Sequence, residues 1–177
     1  MLERLLPITD TTIGLGLSVR SCALLLQYHG WPDTYPAMAR MVAARHGIAK
    51  APSPGRAKHG AVGSLLRVNP QRLWLLSERF DARDQAALEP QIGVALDLSH
   101  ARAIIRIAGD IAETLLSRFI AIDLRPHRFA IDDVAIVPLH RISVVLWRRA
   151  EGVDVLAPRS FARSIWEALA EVAERLG

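Results

Sequence analysis

The residues with the strongest claim to chemistry are Asp97, Ser99 and His100, which sit within four positions of one another in the run VALDLSH. A carboxylate, a hydroxyl and an imidazole are the parts of a charge-oriented nucleophile. In an extended strand, however, Asp97 and Ser99 share one face and His100 points to the other. The spacing therefore predicts a structural turn in which Asp97 and Ser99 bond nearby backbone groups. The six histidines, His29, His46, His59, His100, His127 and His140, form neither an HxH nor an HExxH pair, so metal ligation at helix or strand spacing is unsupported. Gly14-Leu15-Gly16 lies inside a strand pattern without a third glycine opening a helix, which excludes a dinucleotide fingerprint. Asp132-Asp133 lacks further oxygen ligands nearby and reads as a solvated turn rather than a calcium loop. Cys22, the only cysteine, excludes an internal disulfide and reads as a small core residue. Trp31, Trp74, Trp147 and Trp166 each fall on an apolar step and are expected in a core.

Composition sets the frame for these groups. At 177 residues, 51% of them hydrophobic and 23% charged, the chain can bury the core of one domain or of two small modules, and most of it is expected to be ordered. Its apolar runs fall well short of the ~20 residues that span a bilayer. The beginning, MLERLLPITDTT, does not have the plan of a signal peptide, and a cytoplasmic location is the expectation. The net charge of +4 and a pI of about 10.0 come mostly from arginines dispersed along the chain, and the densest basic stretch, Arg45 to Lys58, has no aromatic residue between its charges. That pattern fits an inter-subunit surface better than a phosphate-tracking stripe.

The elements that must position these residues follow from periodicity. Alternation over 11–20 predicts a first strand. A helix is predicted over Thr34 to His46, capped by Asp33 and stopped by Gly47. The segment KAPSPGRAKHG, 50–60, reads as an exposed loop and a mobile arm. Ala61 to Val68 and Leu73 to Ser77 form a hairpin around Asn69-Pro70, and Asp81 to Leu88 a short helix before Pro90. Gly93 to Leu98 and Ala101 to Ala108 are expected to pair as a second hairpin. Asp110 and Glu113 have the spacing of a capping box, with Ile111, Leu115, Leu116 and Phe119 facing inward. Strands over Val134 to Leu139, Ile142 to Arg148 and Val153 to Ala157 form a meander whose arginines, Arg141 to Arg149, would make a cationic edge. A last helix capped by Ser160 buries Phe161, Ile165, Leu169, Val172 and Leu176. The predicted fold is α+β: a two-layer sandwich of mostly antiparallel sheets with helices on one face, as a single domain over 1–177 or as two packed modules of about 1–90 and 91–177.

Several stretches carry a family resemblance. Asp97-Leu98-Ser99-His100 with Ala101-Arg102, Ala108-Gly109-Asp110 with Leu115-Leu116, Asp123-Leu124 with Phe129, Pro158-Arg159-Ser160-Phe161-Ala162 with Trp166, and Asn69 to Leu76 together resemble the sarcosine oxidase gamma subunit family. The family in turn resembles the folate-binding domain of aminomethyltransferases, which implies ferredoxin-like modules. The resemblance implies a subunit of an αβγδ flavoenzyme that oxidises sarcosine or a related N-methyl amino acid, yielding the demethylated amino acid, hydrogen peroxide, and formaldehyde or methylenetetrahydrofolate. It places FAD, FMN, NAD, tetrahydrofolate and zinc in the alpha, beta and delta subunits, and assigns no catalytic, cofactor-binding or metal-binding residue to this chain. The same resemblance fits the gamma-type subunit of N-methylglutamate dehydrogenase. A stand-alone folate-binding aminomethyltransferase-like protein, with Asp97 as its acidic residue, and a basic RNA-binding module are the competing readings. A membrane partner is not expected.

Overall fold

The computed structural model describes residues 12–13, 16–20, 24–79 and 88–176. In chain order the elements are β1 (Thr12–Ile13), β2 (Leu17–Arg20), β3 (Leu24–Gly30), α1 (Tyr35–Arg45), β4 (Ala57–His59), β5 (Ser64–Asn69), β6 (Arg72–Ser77) and β7 (Gly93–Asp97). There follow β8 (Arg102–Ala108), α2 (Ile111–Leu116), β9 (Val134–Leu139), β10 (Ile142–Arg149), β11 (Gly152–Pro158) and α3 (Ala162–Leu176), the last entered through a 3-10 turn over Arg159–Phe161. These elements form two compact units, one from 12–20 with 100–176 and the other from 24–99. Each unit is an antiparallel sheet with helix on one face, which makes the fold α+β as the pattern predicts.

The first unit is a six-stranded sheet in the order β1-β2-β8-β11-β10-β9. The meander β9-β10-β11 forms where the alternation predicts it, and His140, at φ 54°, turns the chain between β9 and β10. Leu115 and Leu116 of α2, with Ile165, Trp166, Leu169 and Ala173 of α3, share a buried cluster with Leu17, Ile105, Ile107, Val144, Leu146 and Val155 of the sheet. Burial of each such side chain is worth roughly 1.5–3 kcal/mol, enough to hold a helix as short as α2 on the sheet. The solvent side of α3 carries the pairs Arg163–Glu167 and Glu171–Arg175 at i,i+4. Phe161 is exposed, and Ser160 does not cap the helix. Both residues lie in the 3-10 turn that precedes α3, off its apolar stripe.

The second unit is a five-stranded sheet in the order β4-β5-β6-β3-β7. Tyr35, Met38, Ala39 and Val42 of α1 pack on Leu24, Leu26, Tyr28, Leu65, Leu73 and Leu75. Gly47, at φ +71°, ends α1 as predicted, and the Ile48 N–H donates to the Ala43 carbonyl at 2.8 Å. Thr34, not Asp33, occupies the N-cap position, and its hydroxyl donates to the Ile92 carbonyl at 2.7 Å instead of capping the helix. The β5–β6 hairpin turns where Asn69-Pro70 predicts, with Asn69 Oδ1 accepting from the Gln71 N–H at 3.0 Å.

Four further expectations are corrected. The 11–20 run is not one strand: Thr12 and Ile13 pair antiparallel with Ser18 and Leu17, and Gly16 stands at φ +81°, because apolar alternation does not register a chain reversal. The 50–60 segment is no free arm: Ala57–His59 pairs with β5, and the Gly60 N–H donates to Gly63 at 2.8 Å. β7 and β8 do not pair with each other; β7 lies beside β3 and β8 lies between β2 and β11, so the turn between them carries the chain from one sheet to the other. Asp110 makes no side-chain cap bond and has helical φ/ψ, whereas an N-cap needs an extended backbone. The predicted helix over 81–88, except Leu88, lies outside the described residues, as do Cys22, Gly14 and Leu15.

Candidate functional site

The Asp97-Ser99-His100 cluster is the turn that leaves β7. Asp97 Oδ1 accepts from the Ser99 N–H at 2.8 Å, and the buried Ser99 hydroxyl accepts from the Leu25 N–H at 2.8 Å. The serine oxygen thus fastens the end of β7 to β3. His100 is exposed beyond it. A nucleophile needs its hydroxyl against an imidazole base, whereas the Ser99 hydroxyl bonds the Leu25 N–H and its backbone N–H bonds Asp97. Asp97, the one acidic candidate for a pterin, has an oxygen committed to this turn.

Of the arginines expected to form a cationic edge, Arg141 is exposed in the β9–β10 turn, whereas Arg148 and Arg149 lie inside the sheet. β10 runs between β9 and β11 and is not an edge strand. Arg148 is buried under α2: its Nε donates to the Phe129 carbonyl at 3.1 Å, and Nη2 to the Leu124 carbonyl at 2.5 Å and Glu113 Oε1 at 2.6 Å. This is where the carboxylate of the expected capping box is used, since a charge-assisted bond is roughly twice as strong as a neutral one. One guanidinium therefore holds the segment after α2 onto the meander. Arg106 grips Asp154, which is 2% exposed, through two bonds of 2.6 and 2.7 Å. Arg149 approaches the same carboxylate at 3.7 Å and lies over the Trp147 ring at 4.0 Å. These are positioning networks, with each buried charge paired as burial requires.

The remaining candidates are dispersed. Among the described residues no three His, Cys, Asp or Glu side chains converge as metal ligands. Gly16 occupies a turn before β2, where an added Cβ would stand 2.8 Å from the Ala108 carbonyl oxygen, so it does not open a helix toward a pyrophosphate. Asp133 Oδ2 accepts from the Ala130 N–H at 2.6 Å and Asp132 Oδ1 from Trp147 Nε1 at 3.4 Å, consistent with a turn. Trp74, Trp147 and Trp166 are buried as expected, but Trp31 is 43% exposed, with its indole N–H on the Pro90 carbonyl at 2.8 Å. Burial pushes the Tyr35 phenol above its ordinary range despite the Arg67 guanidinium 4.5 Å from its ring. Burial also lowers Arg102. Bonds from Arg125 hold the exposed Asp123 carboxyl well below the carboxylate range. A groove of about 310 Å³ beside the C-terminal end of α3 is lined by Arg118, Val172, Arg175 and Leu176.

One feature of the surface was not legible from periodicity. Among the described residues β9 is an edge strand, and Ile131 and Ile136, 56% and 48% exposed, stand beside and on it. The only signal in the sequence is Pro138, since proline within a strand marks an edge.

The architecture is α+β, two antiparallel sheets with helices and buried ion pairs, and among the described residues the Asp97-Ser99-His100 turn, the other histidines and Asp132-Asp133 lie at separate places. No family sequence profile matches the chain. It is similar to the sarcosine oxidase gamma subunits of Arthrobacter sp and of Corynebacterium sp. (strain U-96), each 33% identical over 76 residues. That stretch is 43% of this chain and spans only 37% of the length of those relatives. The fold is also that of a chain in heterotetrameric sarcosine oxidase from Corynebacterium sp. U-96 in complex with pyrrole 2-carboxylate. The TM-score is 0.79 at 23% identity, over 93% of this chain and 88% of that one. The comparisons bear out the resemblance drawn from the residues.

Proposed function

We propose that this chain is the gamma-type subunit of a heterotetrameric sarcosine oxidase-type complex, a single domain built of two modules that supplies structure and no reacting group. The observation that carries the reading is the coverage of the structural likeness, 93% of this chain at a TM-score of 0.79, joined to the independent sequence likeness to gamma subunits. The alpha, beta and delta subunits are its partners in the cytoplasm. They hold FAD, FMN, NAD, tetrahydrofolate and zinc, and the complex converts sarcosine or a related N-methyl amino acid to the demethylated amino acid. This chain's own contribution is rigidity: Arg148 and the Arg106–Asp154 pair lock the loops and strands of the first unit into one shape. Its surplus of positive charge suits acidic neighbours.

The test is affinity purification of the tagged chain from its native cells, followed by mass spectrometry, a visible spectrum and assays with sarcosine and N-methylglutamate. Co-purification of a yellow complex with three other chains that oxidises one of these amines supports the proposal. A colourless single chain contradicts it.

A further inference from the structure

We infer that β9 is the strand through which this chain docks in its complex, receiving an extended, carboxylate-bearing segment of a partner subunit by antiparallel or parallel strand addition. The inference rests on the subunit reading above and adds a surface and a binding mode to it.

The backbone register defines what the edge offers. The Arg148 N–H donates to the Asp133 carbonyl at 2.9 Å, which makes Asp133 a hydrogen-bonded partner of β10. Bonded and non-bonded pairs alternate along an antiparallel ladder. Ala135, Val137 and Leu139 therefore turn their backbone groups to β10, opposite Leu146, Val144 and Ile142. Val134, Ile136 and Pro138 turn theirs outward. Pro138 brings no N–H and so falls where β10 needs none, leaving Val134 and Ile136 as outward donors with three outward carbonyls. No other strand among the described residues pairs with this side. A single proline is one of the devices that block strand edges, but here it closes only the end near β10's turn and leaves the Val134–Ile136 half open.

Side chains mark the same half. Ile136 shows 48% of its surface and Ile131 56%, a larger exposure than any other bulky apolar residue among those described. In the sequence the strand is flanked by the exposed Arg128, in the segment that leads into it, and Arg141, in the turn that leaves it, neither of which is in an ion pair among the described residues, whereas Asp132 and Asp133 are occupied with Trp147 and the Ala130 N–H. The edge is thus apolar in its middle and flanked in sequence by cations, on a chain of net charge +4. An incoming strand with an apolar side chain next to Ile136 and carboxylates near Arg128 or Arg141 satisfies all three features, and edge pairing is an established mode of peptide recognition.

The experiment is amide hydrogen exchange on the full-length wild-type chain, alone and in its purified complex, together with complex formation by Ile136→Pro. That substitution removes an outward donor and spares the ladder to β10; Phe161→Lys, equally exposed on the 3-10 turn, is the control. The expected result is fast exchange at Val134 and Ile136 in the free chain, protection in the complex, and about a tenfold or greater loss of affinity for Ile136→Pro with none for the control. Edge amides that stay exposed in an assembled complex would overturn the docking surface while leaving the subunit reading intact. Protection already present in the free monomer, from another segment of this chain, would overturn it equally, as would protection that appears only with self-association. Failure of the wild-type chain to enter any complex would overturn the subunit reading itself.

Discussion

The two units bury polar groups by different means. In the first, charges are taken inside and paired: Arg148 with Glu113 and two carbonyls, Arg106 with Asp154. In the second, among the described residues, no buried carboxylate is paired with a cation: the Tyr28 hydroxyl meets the His46 ring at 3.3 Å, the Trp74 indole donates to Gln27 at 2.9 Å, Ser99 accepts from the Leu25 N–H, and the partly buried Arg67 guanidinium bonds the Pro52 and Pro70 carbonyls. A paired charge demands its partner, because losing one leaves the other desolvated. A neutral bond is worth about 1 kcal/mol net and fails more gently. The first unit should therefore be stiff and intolerant at a few positions, and the second should depend on its apolar packing.

Substitutions in the two units test this contrast. The largest effect is expected for Arg148→Ala, which strands Glu113 and the carbonyls of Phe129 and Leu124; a loss of about 3–5 kcal/mol in urea unfolding is expected. Arg148→Lys should recover only part of it, since one ammonium cannot reproduce the guanidinium's fork. A loss under about 1 kcal/mol would show that the buried charge is not what organises the first unit. In the second unit Leu73→Ala should cost about 3 kcal/mol through the cavity it opens in the core under α1. Tyr28→Phe should cost about 1 kcal/mol and show no dependence on salt. A salt-dependent loss there would erase the distinction between the units.

The smallest effect is expected at Asp123. Its bonds to Arg125, 2.6 to 3.1 Å long, depress its carboxyl below the ordinary value, so any stabilisation is present above that value and fades as the pH falls toward the folded one. The pair is exposed and screened, so Asp123→Asn should leave the urea midpoint where it is. By NMR the Asp123 carboxyl should remain ionised at about pH 3, where a free aspartate is mostly protonated. Titration in the ordinary range would show that the bidentate contact does not persist in solution.

Legibility in the sequence cuts across the two units. The β9-β10-β11 meander, α3 and the β5–β6 hairpin emerge from alternation, helical spacing and turn residues, since each has one buried face and a local turn. β3 did not: LLLQYHG places buried side chains at successive positions, so it carries no period of two, although it is the strand between β6 and β7. The β7–β8 pairing failed because nearness in sequence suggested a hairpin, while register with β3 decides where β7 sits. The roles of Arg148 and Glu113 are tertiary: nothing at their positions in the chain shows that the two meet across 35 residues. The absence of a reading for β9 as an edge has the same origin, for strand order is set by long-range pairing.

The most direct test of the central claim is the native mass and subunit composition of the sarcosine oxidase-type complex, purified after expression of its genes with and without the one encoding this chain. The account predicts a four-chain assembly with this chain in equal proportion, and loss of the full-size species when it is omitted. A complex of unchanged mass and activity formed without this chain would contradict it.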